Sequence, residues 1–401
     1  RAKFKPQNLV ARQAARKRKR KGKMFELNNE QRAYFGLDAV QQSWERVEFA
    51  GDKFRPASVL YFEGDVIKKH VVSTDELYAE YGYDEATKGR EILLPKTAKG
   101  KETKLTPANF EKRTPLGVYL YADKYSLRIA SFASQTTFYD SVWESGHGRE
   151  MDFRSEIERF IAQSDSDHAR KIEEFKKAGR KNIKFKSGDF FRFKLDRNRY
   201  GFGRAILDGH KLRKSGLLPE GHAMLGFMGK PVFIELFAYA SQGEASVGEL
   251  MSCPRLPMDV MFDNAFFYGE FEIFAHEKVD VSQLDFPMSF HVSPARKYLQ
   301  WGFIEICSDE QSVMKAASRE LKELIEENNF KFNCIGFSPR YAQFEIAEIL
   351  RGEELAYQTN DLRDPEICWA RQELMRIFGL DPAKSYFENA QRLGVKTVLE
   401  L

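Results

Sequence analysis

The stretch from Lys186 to Leu207 constrains the fold of this chain more than any other, because it contains two strands and the turn between them. Its first half alternates polar residues with three apolar ones, Phe191, Phe193 and Leu195. A period of two is typical of a half-buried strand. The polar segment 196–199 then reverses the chain, and residues 200–207 predict the returning partner strand. Gly201 and Gly203 fall on one face of that strand, where they leave room for another backbone or a large ring.

Length and composition limit the number of domains and the class of protein. At roughly 100–200 residues per domain, 401 residues predict two or three domains. No apolar run approaches the roughly 18 residues that span a bilayer, and no signal-peptide pattern is present, which predicts a cytoplasmic protein without membrane contact. The four cysteines form no CxxC pair, so the sequence indicates neither a zinc knuckle nor a disulfide framework.

The formal net charge of +4 conceals a strong asymmetry. Residues 1–23 contain eleven Lys and Arg and no acid, which leaves 52 bases and 59 acids in residues 24–401, a net charge of −7. Such a basic block is typical of a disordered arm, and it predicts a weak contact with nucleic acid by counterion release. A solvated arm, or sequence upstream of a natural start at Met24, explains the same residues.

The first folded region is predicted as an α+β domain over residues 24–148. Asn28 and Gln31 have the spacing of a capping box, and Gly36 ends the short helix that they begin. Strand periodicity then predicts six strands, at residues 44–49, 58–62, 66–72, 117–121, 126–132 and 136–142. The charged residues 74–110 give no clear element apart from an exposed loop near 97–106.

Three further regions complete the predicted α+β fold. An apolar stripe at helical spacing predicts a helical connector over residues 149–182. Residues 183–302 contain the hairpin and two more strand-like stretches, 231–239 and 266–274, which together predict a strongly bent antiparallel sheet or a small barrel. Residues 303–401 are predicted to be mostly helical, with helix starts at Ser308, Ser338, Asp364 and Asp381.

Motifs that carry catalysis have the wrong spacing here. Gly201-x-Gly203 continues as a strand without a third glycine, so it is no dinucleotide fingerprint. The cluster Asp165-Ser166-Asp167-His168 resembles a metal site, but it stands where a helix should begin, which favours capping. The sequence therefore predicts no enzyme, no cofactor and no metal. An enzyme acting on a small ligand remains an alternative, and it would need a pocket in which His147 and carboxylates converge.

Five stretches carry a resemblance to a known family. The hairpin segment GDFFRFKLDRNRYGFGRAIL resembles the signature of the immunity protein 26 family of bacterial polymorphic toxin systems. Four other stretches agree with that family in order: MFELNNEQRAYFGL at 24–37, REILLPKT at 90–97, SQTTFYD at 134–140 and FDNAFFYGEFEI at 262–273. The resemblance implies an antitoxin that binds a cognate toxin domain and blocks it, most simply by steric occlusion. The basic arm and the helical C-terminal region depart from the family pattern.

The candidate partner-binding residues come from the hairpin tip and from the second family motif. They are Asp196, Arg197, Arg199, Tyr200, Phe202, Asn264, Tyr268 and Glu270. Arginines beside aromatic rings have the composition that is enriched at interface hot spots. A purely structural hairpin, with its rings in the core and its arginines in solvent, explains the same pattern. A nucleic-acid-binding protein that acts through the basic arm is the alternative function.

Overall fold

A computed structural model describes residues 24–142, 150–218, 220–222, 225, 229–284, 286–292, 297–328, 346, 350 and 361–398. The basic arm, His147 and the predicted helix start at Ser338 lie outside these ranges. The chain forms two compact units, the first ending at Lys181 and the second beginning at Asn182. In the part of the chain just given, no helix has the length and apolarity that crossing a membrane requires.

The first unit contains one large antiparallel sheet. Its strands are β1 (Glu45–Phe49), β2 (Ser58–Glu63), β3 (Val66–Ser73), β4 (Leu77–Lys88), β5 (Ile92–Leu93), β6 (Thr103–Lys104), β7 (Leu116–Asp123), β8 (Leu127–Ser131) and β9 (Thr137–Asp140). The order across the sheet is β1-β2-β3-β4-β7-β8-β9, and β5 joins β4 to β6. All six predicted strands are confirmed. The central strand β4 falls in residues 74–110, where the sequence pattern predicted no clear element.

Among the described residues of this unit, four helices accompany the sheet: α1 (Asn29–Tyr34), α2 (Pro107–Phe110), α3 (Phe153–Ala162) and α4 (His168–Lys177). The capping box at Asn28 is confirmed, since its side chain accepts from the Gln31 amide at 2.8 Å. Buried residues of α3 and α4, such as Ile157, Phe160 and Ile172, belong to the same core as the strands of this unit. The helices predicted as a connector thus supply part of the core of the first unit.

The acidic cluster before α4 is divided between surface and core. The Asp167 carboxylate pairs with the Arg170 side chain at 2.5 Å and accepts no capping hydrogen bond from the backbone amides of the first turn, so the predicted side-chain cap is absent. His168 is buried, and its Nε2 lies 2.8 Å from the carbonyl oxygen of Tyr34. In the described ranges, no group of three or more His, Cys, Asp or Glu side chains is placed to hold a metal ion.

A buried charge cluster fixes α1 to the sheet. Glu80 of β4 accepts from Arg32 Nε at 2.8 Å, from the Tyr78 hydroxyl at 2.5 Å and from the Lys69 ammonium group. All four side chains are buried. The neighbouring cations lower the pKa of Glu80 against the opposing effect of burial. This carboxylate is therefore ionised and holds two buried cations in place.

The second unit begins with a five-stranded antiparallel sheet. Its strands are β10 (Asp189–Lys194), β11 (Tyr200–Asp208), β12 (Pro231–Ser241), β13 (Asp259–Phe262) and β14 (Glu272–His276), in the order β13-β12-β11-β10-β14. Short helices α5 (Gly209–Lys214), α6 (Val247–Ser252) and α7 (Asn264–Tyr268) follow β11, β12 and β13. As described, this sheet is open, neither closed nor strongly curled, so the expectation of a strongly bent or barrel-like sheet was wrong. The predicted strand 266–274 was also wrong in its first part, because residues 266–268 end α7.

The two strand glycines of the hairpin make room for aromatic rings. Gly201 pairs with Phe193, and Gly203 pairs with Phe191 across the β10–β11 ladder. A Cβ atom at position 201 would lie 2.8 Å from the Cζ atom of Phe193, and one at position 203 would lie 2.5 Å from that of Phe191. These distances are shorter than van der Waals contact. The expected close approach of a large ring is confirmed, and it is a packing role.

A three-stranded sheet and four helices complete the described part of the second unit. They are β15 (Met288–Val292), β16 (Lys297–Trp301), β17 (Ile304–Ser308), α8 (Glu310–Ala316), α9 (Arg319–Asn328), α10 (Cys368–Ile377) and α11 (Tyr386–Leu393). Two predicted helix starts were wrong: Asp309 caps α8 in place of Ser308, and Ser385 caps α11 four residues after Asp381. Asp364 caps a short 3-10 turn that leads into α10, as its Asp-Pro pattern indicates.

One apolar core joins these helices to the first sheet of the unit. It contains Ile206 of β11, Trp301 of β16, Val313 of α8, Leu374 of α10 and Tyr386 of α11. The predicted boundary between residues 302 and 303 falls in the turn between β16 and β17. Residues on both sides of that boundary therefore pack in the same core.

Candidate functional site

The tip of the β10–β11 hairpin is held by its own first residue. The Asp196 carboxylate accepts from the amides of Asn198 and Arg199, each at 2.8 Å, and pairs with Arg199 Nε at 2.6 Å. Aspartate at this position favours a turn because its side chain satisfies the amides two and three residues on. Asp196 is thus occupied by the turn, while Arg197 is half-buried and Asn198 and Arg199 are exposed.

Beyond the tip, Tyr200 lies under the guanidinium of Arg192. The Cζ atom of Arg192 is 4.9 Å from the centre of the Tyr200 ring, which is a cation–π distance. Both Nε and Nη2 of Arg192 lie 2.9 Å from Oε2 of Glu272 on β14. The ladder explains this arrangement, since Arg192 pairs with Glu272 across β10 and β14. Tyr200 is therefore positioned by two residues that the sequence reasoning did not single out.

Phe202 requires a correction. Its side chain is fully buried and shares a core cluster with Phe190 and Phe237, which are also fully buried. A ring in that position is not exposed, so the structure gives Phe202 a packing position beneath the surface, where the prediction had placed it at the surface. Strand alternation alone could not separate the two faces of this sheet, because both are rich in aromatic residues.

The second predicted motif lies on a different face of the sheet from Tyr200. Phe266 of α7 packs on the ring of Phe191 at 5.0 Å, and Phe191 points away from the face of Arg192 because successive strand residues alternate. Asn264, at the start of α7, is exposed, and Tyr268 and Glu270, at its end, are half-buried. Gly269 takes a left-handed φ of 84° and ends the helix between them. The structure thus assigns the two predicted motifs to opposite faces of one sheet.

Two buried polar side chains, Asp189 and Arg204, hold the end of β14, and the sequence pattern did not indicate either of them. Asp189 is buried and accepts from the Lys186 amide at 2.8 Å, and its other oxygen lies 2.8 Å from Nδ1 of His276. Arg204 is buried over the Phe190 ring and donates to the carbonyl oxygens of Glu277 and Lys278 at 2.8 and 2.9 Å. Burial lowers the pKa of Arg204. Both groups fix the C-terminal end of β14, and their partners are far apart in the sequence, which is why no local pattern showed them.

The comparisons with known proteins find one similarity. No curated protein and no solved structure matches the chain. A family model does match, over residues 186–300, which begin three residues before β10 and end within β16. The stretches at 24–37, 90–97 and 134–140 lie outside that match. The family that the model describes is Immunity protein 26, so the resemblance seen in the hairpin is confirmed for residues 186–300.

Proposed function

We propose that this protein is an immunity protein, an antitoxin that binds a cognate toxin domain in the cytoplasm and blocks it. The observation that carries the proposal is the family match over residues 186–300, which include the whole five-stranded sheet. An immunity protein needs a preorganised surface. The self-hydrogen-bonded hairpin tip and the Arg192–Tyr200–Glu272 contact supply ordered polar and aromatic groups of that kind.

The mechanism that we propose is steric occlusion of the toxin's active site, with no bond made or broken by this chain. The predicted contact residues that we retain are Asp196, Arg197, Arg199 and Tyr200 at the tip, with Asn264, Tyr268 and Glu270 on the other face. Residues 24–401 carry a net charge of −7, so a basic toxin, such as a nuclease, would be attracted over long distances. Complementary charge of this kind raises the association rate more than the final affinity.

Binding and protection together test this proposal. The toxin domain encoded beside this chain's gene is produced with and without the full chain, and cell survival and the dissociation constant are measured. We expect survival only with the chain present, and tight binding that the double variant Arg197→Glu/Arg199→Glu weakens. If the toxin domain neither binds the chain nor is neutralised by it, the proposal is wrong. If it binds and the tip variant has no effect, the function stands and the tip is not the contact.

A nucleic-acid-binding function is the second candidate, and the observation that favours it is the charge of +11 on residues 1–23. Binding through that arm predicts an affinity that falls steeply with salt and is lost when residues 1–23 are removed. Fluorescence anisotropy with a labelled RNA or DNA duplex at two salt concentrations measures this. Retention of nucleic acid by residues 24–401 alone would contradict an arm-based interaction.

A further inference from the structure

The edge strand β14 contains a β-bulge that places two successive side chains, Phe274 and Ala275, on one face of the sheet. Phe190 of β10 pairs with Ala275, whereas Phe191 pairs with Ile273, so Phe274 is an extra residue in the ladder. Successive strand residues normally point to opposite faces. Here Phe274 and Ala275 both contact the buried aromatic cluster that contains Phe190. Bulges commonly redirect a side chain in this way, often next to functional sites.

The Phe274 ring rests on a rigid base and is still open to solvent. It meets the Phe202 ring edge to face, with centroids 5.9 Å apart at 86°, and lies 6.4 Å from the Phe190 ring. Both supporting rings are fully buried, yet 38% of Phe274 is exposed. A partly exposed ring that is already fixed loses little conformational entropy when a partner covers it. Phe274 therefore has the properties of an interface anchor.

Arg192 lies on the same face of the sheet as Phe274, and one edge of its guanidinium has no partner among the described residues. Its bonds to Glu272 use Nε and Nη2, and Nη1 has no partner among the residues that the structure describes. The side chains of Arg192 and Glu272 are 29% and 41% exposed. The ion pair and the Tyr200 ring beneath it fix the plane of the guanidinium. A fixed guanidinium with a free edge is suited to a carboxylate from outside.

The two edges of the five-stranded sheet differ in accessibility. At one edge, Asp259, Val260 and Met261 of β13 are buried. At the other, β14 pairs only with β10 among the described strands, and Phe274 and His276 are exposed. The bulge makes β14 irregular, which disfavours the addition of another strand. A partner at this edge is therefore expected to dock on side chains.

We infer that the edge face, defined as Phe274, Arg192, Tyr200 and Glu272, is the surface that receives the toxin domain. The inference rests on the proposed function and names its contact. The partner surface that fits the edge face has an apolar recess for Phe274 beside a carboxylate for the free edge of Arg192. An aromatic ring, a tyrosine and an arginine are the residue types that dominate binding energy at protein interfaces. The net charge of residues 24–401 affects the approach of the toxin, whereas this local contact determines docking.

The test uses the full chain and the toxin domain encoded beside its gene, with affinity measured by calorimetry. Phe274→Ala removes the anchor, and we expect the dissociation constant to rise at least tenfold. Phe54→Ala, which removes an exposed phenylalanine of the first unit, is the matched control and should leave binding unchanged. The exchange Arg192→Glu/Glu272→Arg preserves an internal ion pair but reverses the charge offered to the partner, and we expect a similar loss of affinity. Thermal unfolding of each variant checks that the fold is intact.

Each outcome decides between the inference and the function. Weakened binding by both edge-face variants, with intact folding and an unaffected control, supports the edge face. Wild-type affinity in the charge-exchange variant and in a folded Phe274→Ala variant overturns the inference and leaves the proposed function standing. If the wild-type chain itself does not bind this toxin domain, the proposed function fails, and the inference fails with it.

Discussion

Replacement of Gly203 by alanine should destabilise the second unit by overfilling its hairpin. The added Cβ would lie 2.5 Å from Cζ of Phe191, 2.7 Å from Cδ2 of Leu236 and 2.9 Å from the carbonyl oxygen of Glu235. Since carbon atoms pack at about 3.5–4.0 Å, the Phe191 ring would have to retreat by about 1 Å. It cannot do so freely, because it is fully buried and stacks on Phe271 with centroids 4.4 Å apart.

The size of the effect follows from two opposing terms. Overpacking of a rigid core costs about 1–3 kcal/mol. Alanine also reduces the entropy of the unfolded chain, which returns about 0.4–1 kcal/mol. We therefore expect Gly203→Ala to lower the free energy of unfolding by about 1–2 kcal/mol. Gly201→Ala should cost less, because the atoms nearest to its Cβ are the ends of the Phe193 and Leu195 side chains and not backbone.

Hydrogen exchange followed by mass spectrometry measures this change locally. Peptides from β10 and β11 report the stability of the hairpin even if the two units unfold separately. Gly248→Ala is the control, since it lies in α6 with no atom within 4 Å of an added Cβ, and it should stabilise its helix by about 0.5–1 kcal/mol. If Gly203→Ala protects the hairpin as Gly248→Ala protects α6, the packing role of Gly203 is refuted.

Two further predictions concern buried carboxyl groups. Glu80→Ala should lower the free energy of unfolding of the first unit by about 3–5 kcal/mol, because it leaves the buried cations Arg32 and Lys69 unpaired. A denaturant titration measures this change. A loss below about 1 kcal/mol would mean that water reaches this cluster. Burial raises the pKa of Asp259 from 3.8 to about 7. Between about pH 4 and pH 7 the folded state therefore holds a proton that the unfolded chain releases, so the free energy of unfolding falls as the pH rises through this range. Asp259→Asn should flatten the stability profile over that range, and an unchanged profile would show that Asp259 is ionised in the folded protein.

The fold was predictable where burial follows a simple period along the chain. The strands β10 and β11 and the apolar stripe of helix α3 have such periods, and the sequence pattern predicts these elements with nearly correct bounds. The central strand β4 was missed because its inward positions include Glu80, whose cations lie on α1 and β3. A charged residue in a core can be recognised only when its partners are known, and these partners are distant in sequence.

The candidate site was predictable only in part, for a related reason. The tip residues and Tyr200 stand out by composition, but the burial of Phe202 depends on Phe237, which comes from another strand. Phe274 was missed because its exposure depends on the position of β14 at the edge of the sheet, which the apolar pattern of that strand does not show. Long-range register, and not residue type, decides which aromatic residues reach the surface.

The core that joins Ile206 to Tyr386 has a consequence for the evolution of this chain. The family match ends at residue 300, but Trp301, Val313 and Leu374 of that core come later in the sequence. A gene fragment that encodes residues 186–300 alone would therefore specify a sheet with part of its apolar surface uncovered. Transfer of this segment to another protein would require either the following helices or a new set of residues to cover that surface. The segment recognised by sequence similarity is thus shorter than the segment that shares this core.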